Sequence, residues 1–71
     1  MKGNEMEFWV HFDCRGGWGD TYSCYLWNKD LEHYEFVFQE IFYGTKKEIV
    51  DMIKRKVYDR FGIKRAKWEF D

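Results

Sequence analysis

Four extended stretches of this chain put their apolar-rich positions on even numbers. The first has Met6, Phe8, Val10, Phe12 and Cys14, alternating with Glu7, Trp9, His11 and Asp13. The second has Tyr22, Cys24 and Leu26, the third Tyr34, Phe36, Phe38 and Phe42 with Glu40 as its exception, and the last Ala66, Trp68 and Phe70. Alternation with a period of two is the signature of a strand with one buried face. Directly opposed residues of an antiparallel pair point to the same face. A slip of one residue would therefore put the faces out of phase. Turns centred near Trp18 and Asp30 keep the even numbers together, so parity predicts a sheet whose even face is the core.

The glycine-rich run Arg15-Gly16-Gly17-Trp18-Gly19-Asp20 and the Asn28-Lys29-Asp30 run separate the first three strands. His33 to Tyr43 reads as a long third strand. After Gly44 the period changes to helical. Thr45 with Glu48 forms a capping box, and Val50, Ile53, Val57 and Phe61, with Ile49 beside them, recur at helical spacing. Gly62 and Ile63 supply a Schellman-type end. Residues 64–70 return to alternation as a fourth strand. The expected architecture is an α+β, β-β-β-α-β open-faced sandwich with one helix on a four-stranded mixed sheet. The order 3-2-1-4 is preferred; a fourth strand beside the third also satisfies a right-handed crossover.

The 71 residues are expected to form a single domain, 1–71. A domain of this size buries only about 60% of its unfolded surface. Composition answers that difficulty with seven Phe, five Tyr and four Trp against only ten Val, Ile and Leu. No apolar run is long enough for a membrane span. Met1 to Glu5 shows neither a leader's apolar segment nor the glycine after Met1 that myristoylation needs, and a cytoplasmic location is expected.

Even parity leaves the odd residues on the uncovered face. A solvated sheet face is ordinarily polar, yet this one carries Trp9, Tyr25, Trp27, Val37 and Ile41. With the assumed turns, Trp9 lies opposite Trp27, His11 opposite Tyr25, and Trp27 opposite His33. The expected partner-binding set is Trp9, His11, Tyr25, Trp27, His33 and Glu35 on that face, with Trp18 at the loop tip. Contiguous exposed apolar area marks interaction sites, while cross-strand aromatic pairs also stabilise small sheets by themselves. The same face could equally close a structural homodimer.

Chemistry beyond binding finds little support. His11 and His33 fall on the open face, while Cys14 and Cys24 have core parity, which divides any Cys–His pair between two sides of the sheet. A two-histidine metal site with Glu35 or Glu7 would have to reach across the intervening strand. No enzyme, metal or cofactor is expected. The Gly16-to-Gly19 spacing matches the bare G-x-x-G of KH domains, but those clamp nucleic acid between helices, not strands. A turn centred at Gly19 would set Cys14 opposite Cys24 and permit a disulfide under oxidising conditions.

Charge offers the rival reading. Residues 1–45 hold three basic and eight acidic side chains, and residues 46–71 nine basic and five acidic. Lys47, Lys54, Arg55, Arg65 and Lys67 are the candidate nucleic-acid contacts. Nucleic-acid surfaces normally unite cation and ring, whereas here the aromatic face carries Glu7, Asp13 and Glu35. The preferred expectation is a non-enzymatic protein-binding module, an inhibitor or adaptor of the kind phages direct against host factors or defences. A nucleic-acid binder and a homodimer are the alternatives.

Overall fold

The computed structural model describes residues 5–71. Met1–Asn4, and with them most of the segment inspected for leader patterns, lie outside the described residues. In chain order the elements are β1 (Glu7–Gly16), β2 (Gly19–Asn28), β3 (His33–Phe42), α1 (Lys46–Phe61) and β4 (Lys67–Phe70). They form an α+β fold in which one helix accompanies a four-stranded sheet of order β3-β2-β1-β4. β1 and β2 are antiparallel, as are β2 and β3, while β4 runs parallel to β1. The fourth strand thus takes the preferred place beside β1, and β3 is left as a long outer edge.

The helix begins and ends where the sequence signals lie. The Glu48 amide donates to Thr45 Oγ1 at 3.2 Å and the Thr45 amide to Glu48 Oε1 at 2.9 Å. Gly62 turns left-handed with φ 65°, and the amide of Ile63 reaches back to the Tyr58 carbonyl at 3.1 Å. Those bonds satisfy end groups that the helix itself leaves open. Ile49, Ile53 and Val57 are the buried stripe.

The core lies between that stripe and the even residues Phe8, Val10, Tyr22, Cys24, Phe38 and Phe42. Burial of each large apolar side chain stabilises by about 1.5–3 kcal/mol. β4 adds Trp68, whose ring stacks on Phe8 at 5.0 Å between centroids and whose indole N–H donates to the Tyr58 hydroxyl at 3.1 Å. Glu40, the odd member of the third strand's even set, stays solvated on the edge. Its carboxylate meets Lys56 Nζ at 2.9 Å, and the same ammonium sits 5.5 Å from the Phe38 ring centroid.

Parity fails in two places, and both are bulges. In the first hairpin Gly16 pairs with Gly19 and Arg15 with Asp20, so the expected glycine loop shrinks to Gly17 and Trp18. Gly19 has φ 126°, and a Cβ there would lie 2.7 Å from the Phe42 carbonyl oxygen, which only glycine avoids. The two-residue loop fixes a register one step away from the core's, and an extra residue at Asp13 absorbs the difference. Beyond it Cys14 pairs with Thr21 and is exposed. The expectation that Cys14 faces the core is therefore corrected, and Cys14 and Cys24 are not opposed.

The second bulge falls at Val37. Cys24 pairs with Phe38, but Tyr25 pairs with Phe36, and the shift persists to Asn28 and His33. The turn sets that register too: Asn28 Oδ1 accepts from the amides of Asp30 and Leu31 at 2.9 and 3.0 Å, and Glu32 takes a left-handed φ of 54°. Residues 33–36 therefore have their faces exchanged. Tyr34 and Phe36, expected in the core, go to the open face. His33 and Glu35 go to the helix side, opposite Asn28 and Leu26.

Candidate interaction surface

The exchange builds an aromatic cluster larger than parity alone implies. Trp9 pairs with Tyr25 across the β1–β2 ladder, and their rings stack at 5.0 Å. Trp27 pairs with Tyr34 across β2–β3, with centroids 5.0 Å apart, and Tyr34 also leans over to Trp9 at 5.4 Å. Phe36 meets the edge of Tyr25 at 6.0 Å. These separations are those of favourable offset or edge-to-face contacts. Trp9 therefore faces Tyr25, not Trp27, and His11 faces Ser23, not Tyr25. The assumed turn centre near Trp18 is one step from the one that prevails over that part of the ladder.

No element of the described chain covers the cluster. Phe36 is 63% exposed and Tyr34 41%, while Phe38, one strand step beyond the bulge, is 6% exposed. Tyr34 and Phe36 carry the aromatic patch from the sheet centre to the β3 edge, whereas Tyr43 lines a cleft with Glu48, Asp51, Met52 and Arg55 of α1.

A polar network continues the same face. The Ser23 hydroxyl donates to Asp13 Oδ2, and the Gln39 amide donates to the same oxygen at 3.0 Å. His11 lies between two carboxylates, with Nε2 3.7 Å from Asp13 and Nδ1 3.1 Å from Asp71. The Ser23 bond, reinforced by Gln39, holds the Asp13 carboxyl below its usual range. His11, as hydrogen-bond partner, does the same to Asp71. Serine, histidine and aspartate thus meet, but in the wrong sequence for nucleophile activation. The carboxylate stands between hydroxyl and imidazole, whereas a base must contact the nucleophile. Ser23 is also 2% exposed. Among the described residues no cluster of three or more His, Cys, Asp or Glu has a metal-holding arrangement.

The expected partner-binding residues are therefore only partly assembled. Trp9, Tyr25 and Trp27 form the aromatic centre, and His11 borders it. Trp18 is 81% exposed at the hairpin tip and belongs to no aromatic contact of the cluster. Seven strand steps, about 23 Å at 3.3 Å per residue, run from Trp9 to the end of β1 at Gly16, and Trp18 lies in the turn beyond it. His33 and Glu35 lie on the other side, where Nε2 of His33 is 3.7 Å from Glu35 and Asn28 donates to that carboxylate at 3.0 Å. Tyr34 and Phe36 were missed. The one hint was the uninterrupted apolar run Phe36-Val37-Phe38, which strict alternation does not allow.

The nucleic-acid set is dispersed. Lys47, Lys54 and Arg55 ride on α1, Arg65 pairs with Glu5 at 2.9 Å, and Lys67 pairs with Glu7 across the β1–β4 ladder. Glu7, Asp13, Glu69 and Asp71 stand with Lys67 on or beside the aromatic face, which is consequently acidic. No helix among the described residues is long and apolar enough to cross a membrane. Comparison with known protein families, curated protein sequences and solved structures finds no significant match.

Proposed function

We propose that this chain is a non-enzymatic protein-binding module that docks its partner on the open face of the sheet. The observation that supports it is the cluster of Trp9, Tyr25, Trp27, Tyr34 and Phe36, packed ring against ring and covered by no element among the described residues. Trp and Tyr are the side chains that most often carry interface energy, and rigid aromatic neighbours lose little entropy on binding. An inhibitor or adaptor of the phage type needs such a pre-organised surface and no active site. A cytoplasmic setting suits the exposed free thiol of Cys14.

The test is affinity capture with wild type and with Trp9→Ala/Trp27→Ala, each first checked for a native circular dichroism spectrum. The expected result is a partner held by wild type, largely insensitive to salt, and lost from the double variant. Tight oligonucleotide binding that falls steeply with salt would replace this function with nucleic-acid binding through α1.

A further inference from the structure

Two clefts flank the aromatic cluster, and both join a tryptophan to carboxylates. One, of about 330 Å³, is lined by Trp9, Tyr34, Glu69 and Asp71. The other, of about 360 Å³, wraps the end of the sheet toward the helix side, where Lys29 accompanies Trp27, Glu5, Glu7 and Glu35. A purely apolar partner would strand these carboxylates against its surface, and an acidic partner would be repelled. A cation placed over an aromatic face and beside a carboxylate gains from both.

We propose that the Trp9–Tyr34–Glu69–Asp71 cleft receives an arginine side chain of the partner protein. The proposal rests on the reading of the open face as a protein-docking surface and specifies what that surface selects. Trp9 and Tyr34 have ring centroids 5.4 Å apart and planes inclined by 46°, which makes an angled aromatic wall. Glu69 pairs with Trp9 across the parallel β1–β4 ladder, so its carboxylate rises beside the indole. Asp71 closes the cleft next to it, anchored by its amide to the Val10 carbonyl at 3.1 Å and by its side chain to His11 at 3.1 Å. The wall and the carboxylates therefore come from different strands, and the rings and Asp71 are held in place before any ligand arrives. A guanidinium is flat enough to stack on the wall while its N–H fork addresses a carboxylate. An ammonium is a more strongly hydrated point charge and cannot do both. Lys67, on the same face of β4, lines the neighbouring cleft with Glu7, Tyr34 and Glu69, and it faces Glu7 across the ladder.

The experiment is an NMR titration of the full chain with capped Gly-Gly-Xaa-Gly-Gly peptides, where Xaa is arginine, lysine or citrulline, the neutral analogue of arginine. The Trp9 and Trp27 indole N–H signals and the Glu69 amide are followed. The expected result is saturable movement of the Trp9 and Glu69 signals with the arginine peptide. Binding should weaken at least threefold for lysine, at least fivefold for citrulline, and at least fivefold for arginine on Glu69→Gln. Equal response to arginine and citrulline, or no change on Glu69→Gln, would overturn the proposal. So would the same signals moving with protein concentration alone, which would give the cleft to a second copy. Partner capture separates the two levels. A partner lost on Trp9→Ala/Trp27→Ala but kept by Glu69→Gln leaves the docking face standing and removes the arginine site.

Discussion

The two faces of the sheet carry similar side chains and treat them differently. On the helix side, Phe8, Phe38 and Phe42 are sealed by Ile49, Ile53 and Val57. On the open side, Trp9, Tyr25, Trp27, Tyr34 and Phe36 pack on one another, with His11 beside Trp9, and no helix among the described residues lies over them. The first arrangement removes apolar area from water almost completely. The second removes only what neighbouring rings can shade, and keeps the remainder available. Aromatic content alone therefore does not distinguish a core from a binding surface; what lies on top of it does.

Phe36 and Phe38 make the sharpest contrast, because one bulge residue separates them on the same strand. Phe38→Ala opens a cavity beneath α1 and should cost about 3–5 kcal/mol. Phe36→Ala removes a ring that is 63% exposed and should cost less than about 1 kcal/mol while weakening partner binding. Urea denaturation of the two variants measures both numbers. Equal losses would mean that Phe36 is as deeply packed as Phe38, and the distinction between the faces would collapse on β3.

Gly19 tests the device that sets the first register. Gly19→Ala forces a left-handed residue and a Cβ against the β3 backbone, so a loss of about 1–3 kcal/mol is expected. Gly17→Ala is the control, since a Cβ there meets nothing within 4 Å. If the two substitutions were equally mild, the tight Gly17-Trp18 loop would not be what holds the register, and the Asp13 bulge would lose its cause.

The strands, the helix and both of its caps were legible because each rests on local chemistry: alternation, a capping box, a glycine at the helix end; the strand order was one of two that the sequence left open, and the preferred one is found. The bulges were not, because they are compromises between two separate demands. A two-residue loop pairs Gly16 with Gly19, an even number with an odd one, whereas the apolar faces require Phe8 to meet Leu26. Either demand can be read from the sequence, but the residue that reconciles them depends on the fit of the whole ladder. In the second hairpin the consequence is larger. Val37 gives way, and His33 and Glu35 exchange places with Tyr34 and Phe36. Three of the five cluster aromatics were thus visible from parity, and the other two arrived only through the break in it.

The smallest expected effect concerns the polar end of the open face. Asp13, the bulge residue of β1, is held below the usual carboxylate range first by Ser23, then by Gln39, with His11 adding a weaker attraction. A folded pKa below the unfolded one means that the unfolded chain takes up its proton first as pH falls. The contribution of Asp13 is therefore fully present above about pH 4, the unperturbed carboxylate value, and is lost as pH drops through the lower folded value. Asp13→Asn removes that titration. The stability difference between wild type and Asp13→Asn, followed by urea midpoints from pH 2 to 6, should rise with pH through the acid range and level off once pH exceeds about 4. It should stay well below the loss for Phe38→Ala, because the carboxylate is at the surface and water screens it. A difference independent of pH would mean that Ser23 and Gln39 bind an amide there as well as a charge. The bulge would then be held by shape alone, and the open face would owe its geometry to its rings and turns.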